Sequence, residues 1–154
     1  MSKDNKEALA DQLAQTLADS YTLYLQTHNF HWNVTGPMFN SLHTLFETQY
    51  TELATAVDEI AERIRTLGYP APGTYQAFAG RTRIEEVDGV RSAEEMLERL
   101  IAGQQVVVES SRAALETAGD ISDQASEDLM VRRIDVHEKN AWMLRSSLPS
   151  SAVS

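Results

Sequence analysis

Two histidines and two carboxylates, spaced His31-x11-His43-x14-Asp58-x3-Glu62, are the residues of this chain whose types and spacing suit metal chemistry. Asp58 and Glu62 are four apart, so one face of a helix presents both. His43 precedes Asp58 by fifteen residues on what reads as one uninterrupted helix. At about 1.5 Å per residue that is roughly 22 Å, whereas metal bonds to nitrogen and oxygen are only about 2 Å long. No single site can hold all four within one chain. If they share a site, two chains build it. A two-fold axis across this helix sets the His43 end of one copy against the Asp58/Glu62 end of the other, and generates two equivalent sites. His31, near the end of the preceding helix, lies just across a short turn from His43.

Angles around the helix agree. With His43 at zero and roughly 100° per residue, the apolar stripe spans about −120° to −20°. Glu47, Asp58 and Glu62 fall near +40°, +60° and +100° on the same scale. They line one edge beside the core-facing stripe, open to a neighbouring chain. Imidazole with carboxylate suits iron, zinc or manganese alike. The plainer alternative is that histidines near helix ends cap carbonyls, and that the acids pair with Arg63 and Arg65.

The elements that must position these groups are helical nearly throughout. A first helix over about Lys6–Asn33 carries Leu9, Leu13, Leu17, Tyr24 and His28 at helical spacing. Thr35-Gly36-Pro37 breaks it, and Pro37 suits the first turn of the next helix. The second helix carries Phe39, Leu42, Phe46, Tyr50, Leu53, Val57, Ile60, Ile64 and Leu67 on one stripe, and Gly68 is a natural stop. Residues 68–91 form a long connection, with a short helix expected at Thr74–Ala79. Ser92-x-x-Glu95 is a capping box opening the third helix. Met96, Leu100, Val107, Ser111, Ala114 and Ala118 form its buried face, and Gly119 ends it. The fourth begins near Ser122 or Asp123 and runs to Leu148. Two short links and one long crossover are the signature of an all-α, ferritin-like four-helix bundle with a short extra helix in the crossover between helices two and three. An up-down bundle with a floppy loop is the alternative. The expected organisation is one domain over 1–154, with short tails at 1–6 and 149–154.

Bulk properties narrow the function. The chain has 154 residues, 42% hydrophobic and 23% charged, which suits one globular domain. With no cysteine, disulfides, thiolate metal sites and cysteine nucleophiles are excluded. Met1–Ala10 does not resemble a leader, and no apolar run approaches the ~20 residues of a membrane span; a cytoplasmic location is the expectation. The net charge of −10 repels phosphate backbones and attracts cations. The di-iron site built inside a bundle uses Glu-x-x-His motifs. None occurs here: His28, His31, His43 and His137 are preceded three positions earlier by Leu25, His28, Asn40 and Ile134.

The run His28-Asn29-Phe30-His31-Trp32-Asn33-Val34-Thr35-Gly36-Pro37-Met38-Phe39, with Leu42-His43-x-x-Phe46 and Asp58-Glu59-Ile60-Ala61-Glu62-Arg63-Ile64, closely resembles the Dps family of dodecameric mini-ferritins. The likeness extends to Asp128-Leu129 and Trp142. It implies a hollow shell of twelve four-helix subunits with ferroxidase sites at the two-fold interfaces. The matching ligands are His31 and His43 of one chain with Asp58 and Glu62 of the other. Glu47 stands where the family commonly has Asp, and is a further candidate ligand. The implied reaction oxidises Fe²⁺ to Fe³⁺, preferably with hydrogen peroxide, and deposits ferric mineral in the cavity; zinc or manganese suits the same donors.

Neighbouring residues each carry two readings. Trp32 is a packing anchor at the dimer interface or an oxidisable neighbour of the metals. Trp142 reads as core, and His28 and His137 as hydrogen-bonded interior histidines in preference to metal ligands. Asp120, Asp123, Glu127 and Asp128 offset a helix dipole or, as the resemblance implies, line a three-fold iron-entry pore, with Asp123 and Asp128 the leading candidates. Some family members bind DNA through lysine-rich tails. Here Lys3 and Lys6 are offset by Asp4 and Glu7, and Ser150–Ser154 has no basic residue. Twelve copies at −10 amount to a formal −120, which argues against direct DNA binding. The competing functions are a nucleoid-compacting DNA-binding protein in which iron is secondary, and a zinc- or manganese-loaded shell.

Overall fold

The computed structural model describes residues 3–149, the side chain of Asp4 excepted. The expected tails at 1–2 and 150–154 lie outside the described residues. Five helices follow in order: α1 (Lys3–Asn33), α2 (Phe39–Thr66), α3 (Tyr75–Arg81), α4 (Ala93–Asp120) and α5 (Gln124–Ser146). No strand occurs among the described residues. α1 starts three residues earlier than its apolar stripe suggests, so 3–6 is helix rather than tail. Leu9 is its first deeply buried residue; the polar turn ahead of it carries no core contact by which periodicity could mark it.

The core falls into two clusters, and they fix the helix directions. In one, Leu9, Leu13 and Leu17 of α1 meet Ile60 and Ile64 of α2, Ala114 and Ala118 of α4, and Leu129 and Met130 of α5. In the other, Leu23 and Phe30 of α1 meet Leu42, Phe46 and Leu53, Leu97 and Leu100, and Leu144. The early part of α1 thus lies beside the late parts of α2 and α4. Both run antiparallel to α1, hence parallel to each other, as one long crossover requires. The chain is an all-α, ferritin-like four-helix bundle.

The crossover is anchored, not floppy. Thr74 caps α3 by accepting from Ala77 N at 3.0 Å. Phe78 stacks on Tyr21 of α1 at 4.9 Å. Fully buried Asp19 accepts from Arg83 N at 2.8 Å and Thr82 Oγ1 at 3.1 Å.

Helix ends explain where the expected stops hold. Gly68, at φ +100°, ends α2 with Gly68 N on Arg65 O at 3.0 Å and Tyr69 N on Ile64 O at 3.3 Å, a Schellman pair. The same pair closes α4, but the left-handed residue is Ser122 (φ +57°), with Ser122 N on Gly119 O and Asp123 N on Ala118 O. Gly119 lies within the last helical turn, so it is not the stop. Pro37 likewise sits ahead of α2, in the turn closed by Phe39 N on Gly36 O at 3.0 Å, rather than in the first helical turn. Ser92 caps α4 by accepting from Glu95 N at 3.1 Å; the Glu95 side chain pairs with Arg91 at 3.3 Å.

Asp123 is a buried cap. Its carboxylate accepts from Ser126 N and Oγ and from Arg63 Nη2 at 2.8 and 3.0 Å. Burial alone would raise its pKa, but the hydrogen bonds from Ser126 and Arg63, and the Arg63 charge, hold it below the usual carboxylate range. The depressed folded value means its stabilisation is present above the ordinary carboxylate range and lost as pH falls through that lowered value. Asp123→Ala is expected to cost about 2 kcal/mol at neutral pH, from the lost cap and the unpaired Arg63. Thermal unfolding against pH checks this: a cost that is absent at pH 7, or undiminished in strong acid, contradicts it.

Candidate metal centre

α1 and α2 meet through the five-residue turn 34–38, where Gly36 at φ +105° turns the chain back. This hairpin sets the His31 and His43 rings face to face, with centroids 3.8 Å apart and planes within 16°. Phe39 stacks on the other face of His43 at 5.0 Å. The two histidines hold each other by a reciprocal pair of bonds. His31 Nδ1 donates to His43 O at 2.7 Å, and His43 Nδ1 donates to His31 O at 2.7 Å. A carbonyl only accepts, so each Nδ1 carries hydrogen and each Nε2 keeps its lone pair in the neutral ring. The capping of carbonyls is therefore real, and it orients the rings as metal ligands are commonly oriented.

Glu47, one turn beyond His43, faces the same point. Its Oε1 is 3.8 Å from His31 Nε2, and donor atoms of His31, His43 and Glu47 lie within 4.8 Å of one another. Two imidazole nitrogens and a carboxylate form a set suited to a divalent transition metal. His31 is buried, His43 half-buried and Glu47 exposed, so the cluster opens outward.

Asp58 and Glu62 are not brought to this cluster. They stand further along α2, exposed. Neither forms an ion pair or hydrogen bond among the described residues. The arginines expected to pair with them in the plainer alternative are engaged elsewhere: Arg63 with Asp123 and Ser126, Arg65 with Tyr69 O. Asp58 borders a groove of about 650 Å³ between α2 and α3, lined also by Tyr21, Val57, Ala61 and Phe78.

The surrounding residues divide. Trp32 is 59% exposed, with its ring 3.9 Å from that of His28. His28 lies between Trp32, tilted against it at 38°, and Tyr50, stacked on it at 4.3 Å, and has no hydrogen bond among the described residues, so it is not the hydrogen-bonded interior histidine expected. Burial first, then nearby His31, lower its pKa. Trp142 is 58% exposed rather than core, because its neighbours Ala141 and Leu144 take the buried face of α5. His137 is the buried, hydrogen-bonded histidine expected. Of the acids near the start of α5, Asp123 is spent on its cap, while Asp128 is exposed and pairs with Arg132 at 3.2 Å. Tyr50 was not apparent as a neighbour of the centre, yet its ring lies 5.2 Å from His31. Seven residues after His43, it returns to the same helix face after two turns, which is the signal that marks it.

Comparison with known proteins identifies the family of the fold. The ferritin-like domain model matches residues 10–149. The chain is 36% identical over 144 residues to DNA protection during starvation protein 2 of Bacillus anthracis, covering 94% of this chain and 98% of that one. It superposes on the Dps crystal structure from Bacillus brevis with a TM-score of 0.90 at 33% identity, over 95% of this chain and 98% of that chain. The Dps protein of Vibrio cholerae O1, described as a member of a broad superfamily of ferritin-like diiron-carboxylate proteins, gives 0.90 at 31% identity over 95% and 92%. A match running through all four bundle helices, at this identity, makes the chain a member of the Dps family of the ferritin-like superfamily.

Proposed function

We propose that the protein is an iron-storing ferroxidase whose oxidation site is shared between two copies of the chain. His31, His43 and Glu47 of one copy hold Fe²⁺ together with Asp58 and Glu62 of its mate, in a shell of twelve subunits. The observation that carries this reading is a division along α2: where it meets the end of α1, two Nε2 lone pairs and a carboxylate converge, and further along it two carboxylates stand without partners among the described residues. Each half is an incomplete ligand set, and the two-fold operation completes both at once.

In this reading the residues have distinct tasks. The reciprocal Nδ1 bonds fix both imidazoles, so little ordering remains when iron arrives. The carboxylates, hard anionic oxygen donors, favour the ferric product. A sparse ligand set leaves positions open to oxidant. Two Fe²⁺ give two electrons to one hydrogen peroxide, which takes two protons and leaves as two waters; pairing the irons avoids one-electron release of hydroxyl radical. Exposed Glu47 is placed to pass protons from hydrolysing ferric iron to water. Zinc and manganese compete for the same donors. Asp128, with Asp120 and Glu127, is the remaining acid set for iron entry.

Stopped-flow oxidation of Fe²⁺ by each oxidant, on particles whose mass is measured in parallel, tests this. The expected result is a dodecamer with a fast, saturable phase that consumes two Fe²⁺ per peroxide and is faster than with dioxygen. A stable monomer, or the absence of a saturable phase with either oxidant, contradicts it.

A further inference from the structure

The bundle interior holds a charged group that the centre above does not use. Arg133, on the inner face of α5, is 3% exposed. Its guanidinium engages both carboxylate oxygens of Glu52 from α2, with Nη2 on Oε1 at 2.9 Å. The same Nη2 donates to Nε2 of His137 at 2.9 Å. His137 is fully buried, and its Nδ1 donates to Oε1 of Gln104 on α4 at 2.6 Å. A guanidinium has no acceptor, so His137 is the neutral tautomer with its Nε2 lone pair turned to the arginine. Burial, and secondarily the Arg133 charge, push its pKa well below the usual histidine range.

Stability does not account for this arrangement. A buried ion pair is often no better than apolar packing of the same volume. Arg133 Nε has no partner here, nor do either amide atom of Gln49 or Nε2 of Gln104. What the group does have is one nitrogen set between two kinds of metal-ligating atom. One nitrogen stands 2.9 Å from a carboxylate oxygen and 2.9 Å from a bare imidazole nitrogen. Drawing each donor in by about 0.8 Å reaches the ~2.0–2.2 Å of metal–nitrogen and metal–oxygen bonds. Glu52 offers a second oxygen, which the same guanidinium engages. The Glu52 side chain is 40% exposed, which supplies a way in.

We propose that Arg133 is a built-in cation occupying a metal position inside the subunit, and that it keeps divalent metal out of the bundle core. The site is distinct from the two-chain centre and needs no residue from another copy. The test therefore uses a His31→Ala/His43→Ala/Glu47→Ala background, so that its outcome is independent of the two-chain reading. With Co²⁺ as the probe, equilibrium dialysis and visible absorption should find no interior site while Arg133 is present. Arg133→Ala should add about one Co²⁺ per chain, and adding Glu52→Gln should weaken that binding by roughly tenfold or more. Arg133→Lys, which keeps a cation, should bind none. A folded Arg133→Ala protein that takes up no more Co²⁺ than its background overturns the proposal. If Arg133→Ala does not fold alone, Co²⁺ should restore its helical circular dichroism, because the metal replaces the missing charge. Failure of Co²⁺ to do so overturns the proposal equally.

Discussion

Homo-oligomers of His31→Ala/His43→Ala and of Asp58→Ala/Glu62→Ala are each expected to lose fast Fe²⁺ oxidation by about a hundredfold or more, since even residues that merely orient a metal ligand are worth 10–100-fold. Shells co-assembled from equal amounts of the two should recover about a quarter of the wild-type sites. The figure follows from the two-fold geometry. A mixed dimer joins the intact histidines of one chain to the intact carboxylates of the other, and this makes one complete site and one lacking all four ligands. Random pairing makes half the dimers mixed. Stopped-flow absorbance on mixtures, with mass measurement proving subunit exchange, reads the result. No recovery in well-mixed shells places all the ligands within one chain and removes the shared site. Recovery well above a quarter, with both homo-oligomers inactive, means that unlike chains pair preferentially. The same-chain alternative already faces an obstacle, since Asp58 lies roughly 22 Å along α2 from His43.

Much of this architecture was legible because it rests on periodicity and punctuation. The stripe from Leu42 to Ile64 and the stop at Gly68 are local signals, and both stand. The left-handed residue that closes α4 comes three residues after Gly119, at Ser122, where no glycine stands. Two neighbouring hydrogen bonds and the cap at Asp123 hold it there, and no sequence pattern announces that. The start of α1 ran ahead of its apolar stripe because helices extend beyond the residues they bury.

The centre was legible for a different reason. Spacing alone says that a site of all four residues needs two chains, and the short turn at Gly36 makes His31 and His43 neighbours whatever the assembly. What spacing did not reveal is the reciprocal Nδ1–carbonyl exchange, which depends on how two helix ends cross. Trp142 defeated its reading because aromatic character says core while helical phase says surface. Arg133 is the converse case. A charge on α5 reads as solvated until its phase is compared with Met130, Ile134 and His137, all of them buried.

Plasmid DNA is expected to survive Fe²⁺ and hydrogen peroxide in the presence of this protein, without a shift in its electrophoretic mobility at about 0.15 M salt. The ordinary route to DNA binding is neutralisation of phosphates by lysine and arginine. Here 23 acids face 13 basic residues, and several of the arginines are spent: Arg63 on Asp123, Arg81 on Asp11, Arg133 on Glu52. At that salt, charge interactions at the surface fade beyond a Debye length of about 8 Å, so weak contacts of single tails gain little. Protection must then come from removing iron and peroxide together. Asp58→Ala/Glu62→Ala separates the two explanations, because it removes four negative charges per dimer and so makes the surface less repulsive to DNA. If shielding protects, this variant should protect at least as well as the wild type. If iron chemistry protects, it should fail, and cleavage should return to the level without protein. Nicking assays on supercoiled plasmid, run beside gel shifts at stated salt and without free divalent metal, decide between them. A tight wild-type shift, or undiminished protection by the variant, would make this a DNA-coating protein in which iron is secondary.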